Sequence, residues 1–318
     1  MQEILQHRNE TLRQSHQRLP GSQPYDNYRP INVPAKFDGQ TLLNCLLGMH
    51  PHVGSEQWRD WFDRGHILKM DQPVAMDQIV RGGHQYLHLF PNTIEPDVNA
   101  SITVVWEDDT LIAVNKPAPL PVHACGRFNR NTMLSLLHCI YTPEDLRLVH
   151  RLDANTTGLM LLARSREAAT NLRLQFERNQ ICKRYIVRCQ GTPAQEQFTC
   201  RAPISRERGL AGLRTVNNDG LTAETEFRLL ETADDGTSLL EARPLTGRTN
   251  QIRIHLWSLG TPVCGDPAYL SGGKLAAMQT LTPDQPPMCL HAAQLAFQHP
   301  KSDRPMVLTV EPPRWPKG

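Results

Sequence analysis

Several features are missing from this chain, and each absence narrows what the protein can be. No window approaches the ~18 consecutive apolar residues of a membrane span, so no membrane partner is expected. The opening stretch, Met1 to Arg8, lacks the apolar core of a secretory leader. None of the eight cysteines forms a C-x-x-C pair, which argues against a zinc site or a disulfide frame and for reduced thiols in a cytoplasmic protein. There is no P-loop, no dinucleotide fingerprint and no clustered metal ligands, so neither a metal nor a cofactor is expected. A strong charge of one sign is missing as well. With 34 Lys and Arg against 32 Asp and Glu the net charge is +2, so any nucleic-acid contact must come from local basic patches. What remains is a globular chain of 318 residues, 39% hydrophobic, read as a monomer with one large domain and a smaller one.

Residues 1–30 are rich in Gln, Arg, His, Asn and Pro with little periodic apolar content, which predicts a flexible N-terminal arm. Arg8, Arg13 and Arg18 are either phosphate contacts or parts of a solvated tail. Over 31–91 the texture is globular. Leu42, Leu43, Leu46 and Leu47 have helical spacing, and Trp58, Trp61 and Phe62 suggest a second short helix that Gly65 ends. Ile67-Leu68 and Gln85 to Leu89 read as strands, the latter after a Gly82-Gly83 turn. A polar linker around Pro96 leads to a hairpin, Ile102–Trp106 with Leu111–Val114, that opens a domain over 97–318.

The chain is organised around Val149 to Ala163. Arg151 and Asp153 stand just ahead of a polar turn, and after Gly158 comes an apolar run too short for a helix, hence a buried strand. An ionised carboxylate beside a buried strand is costly unless paired. Asp153, Asn155, Thr156 and Gly158 are also ordinary turn residues, so spacing alone leaves a plain turn open. Downstream, Ser165 caps a helix bearing Ala168, Ala169, Leu172 and Phe176. Lys183 to Cys189 is a strand with Tyr185, Val187 and Cys189 on one face. Arg201, Arg206, Arg208 and Arg214, against one acid, Glu207, make either a solvated loop or a phosphate contact. Ile252, Leu256 and Leu259 mark a helix that Gly260 stops, with Arg253 set about a hundred degrees from Ile252 and able to reach a cleft.

His150-Arg151-Leu152-Asp153, four residues, then Gly158-Leu159 and an apolar run resembles the catalytic motif of RluA-type pseudouridine synthases. Further blocks resemble that family in the same order: Asn115-Lys116-Pro117 to Val122-His123, Lys183-x-Tyr185, Gly247-Arg248-Thr249-Asn250-Gln251-Ile252-Arg253, Gly265-Asp266-Pro267 and Leu290 to Phe297. At position 250 the family usually has His, and Asn still donates a hydrogen bond. Residues 31–91 resemble the S-four-type RNA-binding module common in these synthases, although several positions that are usually basic are not basic here.

The resemblance implies an α+β fold. A small α+β RNA-binding lobe would precede a pseudouridine synthase catalytic domain with a long mixed, largely antiparallel sheet and a central cleft. It implies an isomerase that detaches uracil from ribose, turns it and reattaches it through carbon 5, with RNA as partner and no cofactor. Asp153 would be the catalytic carboxylate, attacking the sugar or drawing off a ribose proton. Arg253, or else Arg248, would be its partner cation, and Tyr185 would pack on the base and assist the late proton removal from carbon 5. Arg151 would fill the stack left by the flipped uridine. His123, Arg127, Arg130, Arg248 and Asn250 would contact RNA. The Val122 to Thr132 stretch resembles the subgroup that includes anticodon-loop enzymes, and Arg127 and Arg130 flanking Phe128 read as two phosphate contacts around a stacking platform. This points to a tRNA anticodon stem-loop, with 23S-type ribosomal RNA as the alternative. Two other classes compete. A non-catalytic RNA-binding relative would be expected to lack Asp153 or Tyr185, and a glycosidase needs a second paired carboxylate.

Overall fold

The computed structural model describes residues 2–207, 209, 212–277 and 279–315. The chain divides into two compact units, Gly21–Glu95, and Met1–Pro20 together with Pro96–Gly318. Arg208 of the basic loop lies outside the described residues.

The arm expected over residues 1–30 is instead a helix, α1 (Gln2–Ser15), followed by a strand. Glu3 in the first turn and Arg13 in the last complement the helix dipole. Leu12 is buried in the core of the large unit, and Arg8 pairs with Glu107 at 3.3 Å. Asn9 bonds both backbone groups of Val104, accepting from its N–H at 2.7 Å and donating to its carbonyl at 3.1 Å. Those groups belong to the edge strand of the large sheet, which would otherwise offer an open hydrogen-bonding row. The helix was hard to foresee because docking fixes it through two leucines and a few polar contacts, without a broad apolar stripe.

The small unit contains β1 (Tyr25–Asn32), α2 (Leu42–Met49), α3 (Ser55–Asp63), β2 (Ile67–Lys69), β3 (Gln72–Pro73) and β4 (Gln85–Thr93). Its sheet runs β1-β4-β2-β3 with antiparallel pairing. Thr41 caps α2, and Leu42, Leu46, Trp58, Phe62 and Tyr86 form the core. The two helices expected here are present, while β1 was read as part of the arm.

In the large unit, β5 (Thr103–Glu107) and β6 (Leu111–Lys116) form the hairpin, with Asp108 accepting from the amides of Thr110 and Leu111. Next come α4 (Met133–Tyr141), capped by Thr132, β7 (Arg147–Leu148), β8 (Thr157–Ala163), and α5 (Arg166–Glu177), capped by Ser165. They are followed by β9 (Cys182–Gln190), β10 (Gln197–Cys200), β11 (Thr225–Thr232), β12 (Thr237–Pro244), α6 (Gln251–Ser258), β13 (Leu290–Gln298) and β14 (Pro305–Thr309). The sheet order is β10-β11-β12-β9-β13-β8-β6-β5, with β14 beside β13 and β7 beside β8. Among the described residues the β8–β13 pair is the one parallel ladder, which makes the sheet mixed and largely antiparallel as expected.

Strand β8 shows why its sequence is an unbroken apolar run. Leu159, Leu161 and Ala163 pack on one face with Ala168, Ala169 and Leu172 of α5. Met160 and Leu162 pack on the other with Met133, Leu136 and Leu137 of α4. A strand covered on both faces has no solvent side to mark with polar residues.

Gly158 sets how closely β8 approaches β13. It pairs with Ala292 at φ +115°, and a Cβ built there would lie 2.3 Å from the Ala292 carbonyl oxygen. Backbone on both sides leaves nothing that can yield cheaply. Gly158→Ala is therefore predicted to lower unfolding stability by about 2–4 kcal/mol, read by chemical denaturation. A loss below about 0.5 kcal/mol would show that the two strands part easily.

Candidate active site

A loop, a central strand and a helix bring the candidate residues together. Asp153 sits in the loop between β7 and β8, Tyr185 projects from β9, and Arg253 comes from α6. All three line a cleft of about 1020 Å³, together with His123, Arg151, Lys183, Arg248 and Asn250.

Helix α6 departs from the one-sided helix expected of it. Gln251 to Leu256 are all buried, whereas Leu259, counted in its apolar stripe, is about half exposed. Arg253 is thus a guanidinium almost entirely out of water, at 1% exposure. A buried charge of this kind survives only if paired and hydrogen-bonded. Nε and Nη2 donate to the two carboxylate oxygens of Asp266, each at 2.7 Å. Nη1 donates to Asp153 Oδ2 at 3.0 Å and to Asn250 Oδ1 at 3.2 Å. Burial works against the arginine's charge, but the Asp266 hydrogen bonds and the two carboxylate charges outweigh it and raise its pKa.

The two carboxylates are held very differently. The Asp266 side chain is fully buried and also accepts from the amides of Ala268 and Tyr269, at 2.9 and 3.1 Å. The Asp153 side chain is about one-third exposed (34%), and Arg253 reaches its Oδ2. Asp266 is therefore structural, while Asp153 stays partly open to the cleft. Sequence reading assigned no role to Asp266. Its position thirteen residues after Arg253, behind the positive-φ Gly265, was the available signal.

The loop under Asp153 is anchored at several points. Lys116 is fully buried, and its Nζ donates to the carbonyls of Pro117, Leu120 and Ala154 at 2.8, 3.0 and 3.1 Å. Burial pushes its pKa down to about 7, against the opposing pull of the Asp153 charge. Three carbonyl acceptors match the three N–H donors of an ammonium, and on that geometry the charged form is the one bound. Asn155 accepts from the Leu281 amide and donates to the Gln279 carbonyl, both at 3.0 Å.

His150 supports the motif through the backbone of β8. Its Nε2 accepts from the Leu161 amide at 3.0 Å, and its ring stacks on Phe176 at 4.4 Å. Burial, with the Lys183 charge adding to it, pushes its pKa to about 3. The Tyr185 phenol is raised well above its ordinary range by burial and then by the Asp153 charge, so it stays protonated. Asn250 begins α6 in the left-handed region at φ 56°, which Asn tolerates better than most residues. Its Nδ2 donates to the Tyr269 hydroxyl at 3.3 Å, which itself donates to the Arg214 carbonyl at 2.8 Å.

Two parts of the sequence reading are corrected. Phe128 is buried in the core and cannot be a stacking platform; it anchors the loop that carries it. Arg127 and Arg130 are exposed but lie outside the cleft lining. Of the two arginines weighed as partner to Asp153, Arg253 takes the role, and Arg248 donates to the Thr222 carbonyl at 2.9 Å while lining the cleft. In the basic loop, Arg201 pairs with Glu224 at 2.7 Å, and Arg214 reaches the cleft.

The buried histidines predict a pH response. His150 and His291 are held neutral, with pKa pushed by burial to about 3 and about 4 from an ordinary 6.5. The unfolded chain takes up these protons first as pH falls, so stability is full above about 6.5 and is lost progressively towards 4. The melting temperature should fall across that window, and by less in His150→Gln. An equal fall in the variant would contradict this.

Residues 110–258 match a family model described as RNA pseudouridylate synthase. Human pseudouridylate synthase RPUSD2 is 34% identical over 208 residues, 65% of this chain and 38% of that protein, so this chain spans well under half of that relative. Ribosomal large subunit pseudouridine synthase D of Nitrosomonas europaea is 30% identical over 291 residues, 89% of this chain and 84% of that one. The mitochondrial tRNA pseudouridine(32) synthase of Saccharomyces cerevisiae is 29% identical over 242 residues, 74% of this chain and 51% of its own. Among solved structures, Human RNA Pseudouridylate Synthase Domain Containing 4 superposes with a TM-score of 0.54 at 27% identity, covering 66% of this chain and 88% of that one.

Proposed function

The chain belongs to the RNA pseudouridylate synthase family, and on that premise we propose that it isomerises uridine to pseudouridine in structured RNA, acting as an isomerase without a cofactor. The observation that carries this reading is the Asp153 carboxylate held at 3.0 Å from a buried Arg253 and open to a cleft shared with Tyr185. The reaction breaks the bond from base to sugar and remakes it at carbon 5, with no net redox change. It requires a carboxylate beside the anomeric carbon, whether to attack it or to draw off a ribose proton. Arg253 fixes the direction of that carboxylate and keeps a positive charge beside it.

The target uridine must leave its stack to reach Asp153, at a cost of about a few kcal/mol. Arg151 is exposed and lines the cleft, placed to occupy the vacated stack. Tyr185 packs on the flipped base. Such flipping is cheapest from a hairpin loop, where the base is already unpaired. We take a tRNA anticodon stem-loop as the first substrate, supported by the likeness to the yeast tRNA enzyme over 74% of this chain. Ribosomal RNA is the second reading, and the longer alignment with the Nitrosomonas protein favours it. The cysteines are all free thiols, which fits the reducing cytoplasm.

A glycosidase fits the site less well. The carboxylate nearest Asp153 through Arg253 is Asp266, which is buried and fully engaged, and Glu177 is an exposed residue at the end of α5. Asp266 cannot flank a scissile glycosidic bond opposite Asp153, and Glu177 shares the cleft without any bond that sets it against Asp153.

The test is carbodiimide-based pseudouridine mapping of total RNA treated with the native protein or Asp153→Asn. The native protein should modify a discrete uridine. The variant should lose at least about 10³-fold in rate while RNA binding and melting temperature stay nearly unchanged. Full modification by Asp153→Asn would overturn the mechanism. A site confined to ribosomal RNA would move the substrate there and leave the isomerase reading intact.

A further inference from the structure

One chemical duty of the reaction falls to none of Tyr185, Arg253 and His150. After carbon 5 has bonded to the ribose, it still carries its own proton, which must leave before pseudouridine is complete. The Tyr185 phenol is protonated and cannot receive it. Arg253 has no free lone pair at any ordinary pH. The His150 Nε2 is occupied by the Leu161 amide and its ring is stacked on Phe176.

We infer, resting on the isomerase reading, that Lys183 is a further catalytic residue, and that its neutral amine takes the proton from carbon 5 of the flipped base. Lys183 stands two residues before Tyr185 on β9, so the two side chains share one face, roughly 7 Å apart along the strand. Both line the cleft with Asp153. The Lys183 Nζ donates to the Thr246 carbonyl at 3.1 Å, and a Cβ on Gly247 would come within 3.8 Å of it. Among the described residues no carboxylate forms an ion pair with it. An amine that donates one N–H to a carbonyl, and has no anion beside it, keeps its lone pair for an incoming proton.

Its burial favours that neutral form. Burial, with a smaller lowering from Arg248 set against a raising contribution from Cys182, brings its pKa down to about 8. His150, which faces it from the loop before β8, is neutral, and Glu177 lines the same cleft without pairing to it. About a tenth of the amine is therefore unprotonated at pH 7, and more as the pH rises towards 8.

The step balances within the cleft. The C5–H bond breaks and its electron pair becomes the C5=C6 double bond. The N1=C6 π pair moves to N1, which takes a proton from solvent. The lysine ammonium returns its proton to solvent, and no oxidant or co-reactant is consumed.

The alternative is that Lys183 is only a cation that contacts RNA phosphate, and kinetics with RNA deuterated at carbon 5 of the target uridine separates the two. Native protein, Lys183→Arg and Lys183→Gln are compared after thermal melting has established that each folds. On the proposal both variants slow by at least about tenfold, since arginine keeps the charge but cannot accept a proton, and the isotope effect rises above about 2 in both. The native rate should climb with pH to a plateau above about 8, a rise that Lys183→Arg lacks. A near-native rate for Lys183→Arg, or an isotope effect near unity in both variants, would overturn the proposal. Failure of the native protein to form any pseudouridine would overturn the isomerase reading and this step with it.

Discussion

One guanidinium shared between two carboxylates is the constraint on which the rest of the site depends. Arg253 is enclosed by α6 and its surroundings, and its fork is locked on Asp266 by two 2.7 Å hydrogen bonds. A guanidinium is planar, so fixing one edge fixes the direction of the remaining N–H groups. The one on Nη1 then sets where Asp153 must lie. Removing either partner of such a buried pair leaves an uncompensated charge, typically at a cost of about 3–5 kcal/mol. Burial thus does two things at once: it makes the pair obligatory, and it strengthens the field that Asp153 feels.

Positioning from the other side comes from the backbone. Lys116 gathers three carbonyls, one of them from Ala154 next to Asp153. Asn155 ties the same loop to residues 279 and 281. Gly158 lets β8 lie against β13, which in turn pairs with β9 and so places Tyr185 and Lys183. Asp153 therefore sits between a rigid loop and a rigid arginine, while its carboxylate stays partly open to the cleft. The strands that carry or flank these residues, β8, β9 and β13, are at the centre of the sheet, where local opening is least favourable.

Much of this was legible in the sequence. Asp153, Tyr185 and Arg253 stood in recognisable motifs, and Ser165 and Gly260 marked helix boundaries by ordinary capping chemistry. What was not legible depends on contacts distant in sequence. Helix α1 owes its place to Asn9 on the Val104 backbone and Leu12 in a core assembled from residues a hundred positions away. Strand β1 has an irregular apolar pattern, and its pairing with β4 defines it. Phe128 between two arginines reads as a surface aromatic until the core beneath it is seen. Asp266 and Asn250 take their roles from which atoms of Arg253 they meet, and spacing does not encode that.

The central claim is that Asp266 acts on Asp153 through Arg253, and a double-mutant cycle on single-turnover pseudouridine formation tests it most directly. Asp266→Asn, Arg253→Lys and the double variant are compared at saturating RNA, with folding checked for each. Residues acting as one unit give strongly non-additive effects, so the double variant should be no slower than the worse single by more than about threefold. Rate losses that multiply would show that Asp266 and Arg253 act independently, and would contradict the account.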